Sequence, residues 1–159
     1  LSEERETSPF LVRYLWRTGK KLDIQRMNEI AGLLTGKHDF TAFRGNNSVP
    51  SDPVRNLYDI TIKKEGPLYR IYVTGEGFLY HMVRNIAGAL VDAGTGDMTK
   101  DRLLSILASR DRRQLGMTAP AEGLCLLKVY FQPITKEGIE ETMNLPLYPW
   151  CMGQPESSQ

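Results

Sequence analysis

Residues 77–90 read Gly77-Phe78-Leu79-Tyr80-His81-Met82-Val83-Arg84-Asn85-Ile86-Ala87-Gly88-Ala89-Leu90. At helical spacing this stretch is apolar nearly all round, through Met82, Val83, Ile86, Ala87, Ala89 and Leu90. A helix with that pattern belongs inside a fold rather than on its surface. One narrow polar stripe breaks it, formed by His81, Arg84, Asn85, Gly88 and Asp92 at steps of three or four residues. A sheltered arginine needs a partner, since an unpaired buried charge costs several kcal/mol. The partner of Arg84 is therefore the question the sequence poses.

Upstream of this helix, the period is two. Tyr58, Ile60 and Ile62 alternate with polar residues, as do Tyr69, Ile71 and Val73, and Glu65-Gly66-Pro67 lies between them. Two such runs with a short glycine-containing link predict an antiparallel hairpin. Further upstream, Asp23 is a good N-cap, and Ile24, Met27, Ala31 and Leu34 recur at helical spacing up to Gly36, which predicts a helix over 24–35. Residues 9–17 (PFLVRYLWR) read as an extended segment, and residues 45–53 (GNNSVPSDP) as a turn-rich loop. Downstream, Gly94-Thr95-Gly96 ends the buried helix. Thr99 caps a second helix with Leu103, Leu104 and Leu107 on its inner face, and residues 124–131 (LCLLKVYF) read as a central strand. The order strand, helix, hairpin, helix, helix, strand predicts an α+β fold, a mostly antiparallel sheet with helices packed on one face. Its expected limits are a flexible lead-in over 1–8, the domain over 9–131, and a proline-rich irregular or disordered tail over 132–159.

The 159 residues suffice for one domain with a real core. Twenty basic residues against 19 acidic ones give a net charge of +1, so global charge does not announce a nucleic-acid partner. No apolar run reaches the roughly 20 residues of a membrane span. The chain opens on Leu1 without a signal-peptide pattern and reads as a piece of a longer protein. Cys125 and Cys151 make no disulfide framework, and Cys125, inside an apolar run, is expected to be a core thiol. The only histidines, His38 and His81, belong to no spaced ligand set, so no metal site is legible. Nucleophile-elbow and phosphate-loop patterns are missing as well.

Three local groups remain. In His38-Asp39-Phe40-Thr41-Ala42-Phe43, the rings can anchor a loop to the core with Asp39 as a cap, or the loop can flank a ligand cleft. Arg84 can form a structural ion pair with Asp92 or Glu122, or it can face a cleft and hold a carboxylate or phosphate. Leu124, after the tight Thr118–Gly123 loop, can pack the core or wall a pocket. The basic residues Arg44, Arg55, Lys63, Lys64, Arg70, Arg110, Arg112 and Arg113 are dispersed, and read mostly as solvated faces.

The three blocks His38–Phe43, Phe78–Ile86 and Thr118–Leu124, in that order and spacing, closely resemble the TruA family of tRNA pseudouridine synthases. Pro9-Phe10-Leu11 resembles the family too, and the likeness runs from about Ser8 to Phe131. It implies an enzyme that detaches uracil from its ribose in tRNA, rotates it and rejoins it through carbon, with no cofactor or metal. The resemblance makes Arg84 the arginine that pairs with the family's essential aspartate, and Leu124 the leucine lining the pocket. His81, Asn85 and Phe78, in the same block as Arg84, are the further candidates for substrate contact. A nearby cation would keep such a carboxylate ionised and aimed. A uridine reaching the pocket would leave its stack.

The sequence departs from the family in two respects, one being that the Tyr-Arg-Tyr-type block that holds the family's stacking tyrosine is missing. The Arg-Thr-Asp-Ala-Gly block that holds the family's aspartate has no counterpart here, and Asp39, Asp59 and Asp92 lie in no matching motif. The expected partners are thus tRNA and the missing N-terminal half of the same protein, and the fragment alone is expected to be inactive. Dimers occur in the family. The alternative is a non-catalytic RNA-binding module that keeps the fold.

Overall fold

The computed structural model describes residues 1–2, 12–45 and 52–145. Helix α1 (Ile24–Leu34) starts where the Asp23 carboxylate accepts hydrogen bonds from the amides of Gln25 and Arg26. It buries Met27, Ile30, Ala31 and Leu34, one stripe at spacings of three and four. Thr35 caps its end, and Gly36 takes a positive φ of 101° that turns the chain into β1 (Gly36–Asp39). This short polar strand was not expected from the sequence. Four residues without alternation carry too little pattern, and pairing with the neighbouring strand is what orders them.

The hairpin forms as expected. Strand β2 (Val54–Glu65) pairs antiparallel with both β1 and β3 (Leu68–Gly75), giving a three-stranded sheet in the order β1-β2-β3. Leu57 and Ile60, three apart, would face opposite sides of a regular strand. A register shift between Leu57 and Asp59 absorbs one residue, so Leu57, Ile60 and Ile62 all reach the core and Tyr58 is left exposed.

Helix α2 (Met82–Thr95) is buried nearly all round, as its composition predicts: Met82, Asn85, Ile86, Gly88, Ala89, Leu90, Val91, Ala93 and Gly94 are all inside. Gly96, at φ 90°, ends it. Thr99 caps α3 (Lys100–Ser109), which buries Leu103 and Ile106. Leu104, expected on the inner face, is half exposed, because the stripe pairs Leu103 with Ile106 and partly Leu107. The helices pack on the sheet and on each other in an α+β layer, around a core that includes Phe40 and Phe43. Among the described residues no helix is long and apolar enough to cross a membrane.

Two compact units divide the chain, 1–124 and 125–159. Of the expected lead-in, residues 3–8 lie outside the described residues. Ser2 is tied down, its amide donating to the Trp16 carbonyl and its own carbonyl accepting from the Thr18 amide. The extended segment over 9–17 lies partly outside the description. Its described part forms a 3-10 turn at Val12–Tyr14 and a single bridge from Arg17 to Ser2.

In the second unit, residues 125–131 join no ladder among the described residues, against the expectation of a central strand. Leu126, Val129 and Phe131 are largely exposed, and so is Cys125, which is therefore not a core thiol. An apolar run becomes a central strand only when neighbours pair with it on both sides, and none of the described strands does. The expected irregular tail contains α4 (Lys136–Met143), capped by the Thr135 hydroxyl. Tyr130 closes this unit, its hydroxyl bonded to the Gly138 carbonyl and the Thr142 hydroxyl. The remainder of the tail, 146–159, lies outside the described residues.

Candidate functional site

The site is built on the polar stripe of α2, and most of that stripe is covered by the chain itself. Residues 116–119 lie lengthwise along the helix as an extended strap. Gly116 rests on the Asp92 carboxylate, and Gly88 lies beneath the Met117 carbonyl so closely that a Cβ at either glycine would overlap its neighbour. The Thr118 hydroxyl donates to Asn85 Oδ1 (2.7 Å). Ala119 then bonds Arg84 twice, its amide to the Arg84 carbonyl (3.1 Å) and its carbonyl from Arg84 Nε (2.7 Å). The strap thus steps down α2 from Asp92 to Arg84 while the chain advances three residues.

Neither carboxylate considered as a partner for Arg84 reaches it among the described residues. Asp92 lies eight residues along the helix, about 12 Å at 1.5 Å per residue. Among the described residues neither Asp92 nor Glu122, nor any other carboxylate, forms an ion pair with Arg84. Arg84 is half-buried, and Nε is its single hydrogen-bonding nitrogen among them. The fork is therefore held at Nε, and neither terminal nitrogen has a hydrogen-bond partner among the described residues.

Asn85 lies fully inside. Its Nδ2 donates to the Phe43 carbonyl (2.7 Å), and its Oδ1 accepts from Thr118 and from Arg112 Nη2 (3.0 Å). Arg112 also bonds the Thr118 hydroxyl (2.6 Å) and, through Nη1, the carbonyls of Leu115 (3.0 Å) and Gly116 (3.2 Å). Burial lowers the pKa of this guanidinium from its usual value. Arg112 was read in the sequence as part of a solvated basic cluster. Its neighbours do turn outward: Arg110 pairs with Asp39 (2.9 Å) and Arg113 with Asp111 (2.9 Å). The available signal was Asn85, a polar residue on a buried helix, which requires internal partners.

His81 begins α2 in the left-handed region, at φ 60°, a conformation that costs a non-glycine residue on the order of 1 kcal/mol. Its ring stacks on Tyr80 (centroids 3.8 Å apart, 23° between planes). The Gly45 amide donates to the Tyr80 carbonyl (2.8 Å). Phe78 and Tyr80, on the segment that leads into α2, are exposed, and His81 and Arg84 at the start of the helix are half-buried. Leu124 follows a turn closed by its amide on the Ala121 carbonyl, with Gly123 at φ 89°, and is 54% exposed. A leucine packing the core of this unit would be buried, and Leu124 is not.

The His38–Phe43 block serves as an anchor. Phe40 and Phe43 are fully buried and meet edge to face at 5.7 Å. The Asp39 carboxylate accepts from the amide (2.9 Å) and hydroxyl (2.6 Å) of Thr41. Burial pushes its pKa up, but the Thr41 hydrogen bonds and the charges of Arg110 and Arg44 outweigh this and hold it below the usual range.

Asp92 behaves in the opposite sense. Burial and the neighbouring Asp97 raise its pKa, and Arg102 and Lys20 only partly offset them. A raised folded-state pKa means that its stabilising contribution is full below the unfolded value of about 3.9 and is lost as pH rises through the folded value. Asp92→Asn is expected to raise stability at pH 7 by less than about 1 kcal/mol, after solvent screening. It should also flatten the gain in melting temperature between pH 7 and 4. An unchanged gain on acidification would assign it to other groups.

Residues 30–132 match the family described as tRNA pseudouridine synthase. The chain belongs to this family. It is similar to tRNA pseudouridine synthase A of Thermoanaerobacter sp. strain X514, 39% identical over 123 residues that make up 77% of this chain and 50% of that protein. The corresponding protein of Citrifermentans bemidjiense is 41% identical over 126 residues, 79% of this chain and 50% of its own. A tRNA pseudouridine synthase A 2 of Bacillus anthracis is 39% identical over 128 residues, 80% and 52% of the two chains. The chain thus spans about half the length of the curated relatives it matches, and the match of this pseudouridine synthase domain takes in all three sequence blocks.

Proposed function

We propose that this chain is the C-terminal half of a tRNA pseudouridine synthase and supplies one wall of the pocket in which a tRNA uridine is isomerised. The observation that supports this most is Arg84, held at Nε by the Ala119 carbonyl with its terminal nitrogens uncommitted among the described residues. That is the posture of a guanidinium set to receive a carboxylate along its free edge. In this reading the carboxylate comes from polypeptide outside this chain, and Arg84 keeps it ionised and aimed at the reacting base. Leu124 packs beside that base. His81 and Phe78 meet the flipped nucleotide at the start of α2, and Asn85 works from behind by holding the loop and strap in place. No metal or cofactor enters the proposal, and tRNA is the substrate.

The test is to assay tRNA for pseudouridine, through its carbodiimide adduct, with this chain alone and with the chain joined to the N-terminal half of the Thermoanaerobacter relative. Product is expected only from the joined protein. Turnover by the isolated chain would place the catalytic acid within it, against the proposal. A joined protein that folds and binds tRNA without making product would favour the RNA-binding alternative.

A further inference from the structure

Arg112, a half-buried cation, makes four side-chain hydrogen bonds. Its contacts are distributed in a telling way. Nη1 grips the carbonyls of Leu115 and Gly116, where the strap begins. Nη2 grips Thr118 and, on the helix, Asn85. Thr118 closes the triangle by bonding Asn85 itself. One planar fork therefore fastens three successive points of the strap to α2, and the next residue, Ala119, is the one that holds Arg84. The Arg84 guanidinium donates no other hydrogen bond among the described residues, so its direction depends on where the Ala119 carbonyl stands.

We infer that Arg112 is a positioning residue for Arg84: by tying Leu115, Gly116 and Thr118 to α2 through Asn85, it fixes the Ala119 carbonyl that aims the Arg84 guanidinium. The chemistry requires arginine. A lysine ammonium is a point donor and cannot serve two carbonyls on one edge and a hydroxyl and an amide oxygen on the other. The inference rests on the reading of Arg84 as the group that orients the catalytic carboxylate.

The experiment uses the full-length synthase carrying this chain, with Arg112→Met, Arg84→Ala and the double variant. Arg112→Met is expected to lower kcat for pseudouridine formation about 10- to 100-fold, with KM for tRNA within about threefold, because a misaimed group costs the transition state more than the ground state. In the double variant kcat should equal that of Arg84→Ala within about twofold, since residues acting through one another are not additive. Losses that multiply, or a loss confined to KM, would overturn the inference.

Should Arg112→Met fail to fold, Thr118→Val removes the bridging hydroxyl alone. It is expected to lower kcat, and Thr118→Ser to restore it; equal rates for the two would likewise overturn the inference. Amide hydrogen exchange at Ala119 reads the staple independently of catalysis. Faster exchange is expected in Arg112→Met even if Arg84→Ala proves fully active, in which case the reading of the site fails and the staple stands. Unchanged exchange refutes the staple.

Discussion

On the proposed pairing of Arg84 with a catalytic carboxylate, Arg84→Ala in the chain joined to an N-terminal half is expected to lower kcat for pseudouridine formation by about 100- to 1,000-fold, the loss typical of removing one preorganised electrostatic partner from an active site. Two effects combine. Without the adjacent cation the carboxylate's pKa rises by about one to three units, and each unit is worth about 1.4 kcal/mol. The carboxylate also loses the fork that fixes its direction. Arg84→Lys should fall between the two, since an ammonium keeps the charge but has no Nε–H for the Ala119 carbonyl. The folding cost is expected to be small, about 1 kcal/mol for one lost hydrogen bond at a half-buried site. Single-turnover kinetics beside a melting curve therefore separates the two readings. A variant as fast as the parent would remove Arg84 from the mechanism, whatever its stability.

The second large effect is structural. Gly88→Ala should destabilise the domain by about 2 kcal/mol and lower its melting temperature by about 10 °C. Helix propensity argues the other way, because alanine is better than glycine in a helix interior by about 1 kcal/mol. Overpacking wins here, since the obstacle to a new Cβ is the Met117 backbone carbonyl rather than the end of a flexible side chain. That carbonyl cannot retreat alone. Arg112 and Thr118 tie the strap on both sides of it, and Ala119 is bonded to Arg84. The same substitution should therefore cost activity as well. Urea unfolding measures the first effect, and an alanine variant more stable than the parent would show that the strap lies looser than described.

Much of this was legible in the sequence where a pattern ran long enough to overdetermine its element. Asp23 with Met27, Ala31 and Leu34 marks α1, alternation around Glu65-Gly66-Pro67 marks the hairpin, and the apolar surface of residues 82–91 marks a buried helix. The bulge near Tyr58 and the four-residue β1 were not legible, because both depend on pairing rather than on composition. The reading of 124–131 as central went astray for the same reason, since centrality is a property of neighbours. At the site, the stripe His81–Asp92 was identified but not what covers it. The strap's small residues carry no periodic signal, and the inward turn of Arg112 is hidden between two arginines that face outward.

The strap also bears on how this loop can vary. Three extended residues from Gly116 to Ala119 advance about 10 Å at about 3.3 Å each, and eight helical residues from Asp92 to Arg84 advance about 12 Å. The two backbones keep pace over this distance with almost no slack. Connecting segments ordinarily absorb insertions and deletions at little cost. Here one residue gained or lost would shift the contact by about 3.3 Å, more than a hydrogen bond tolerates. This irregular segment is therefore held to a fixed length as firmly as a strand within a sheet.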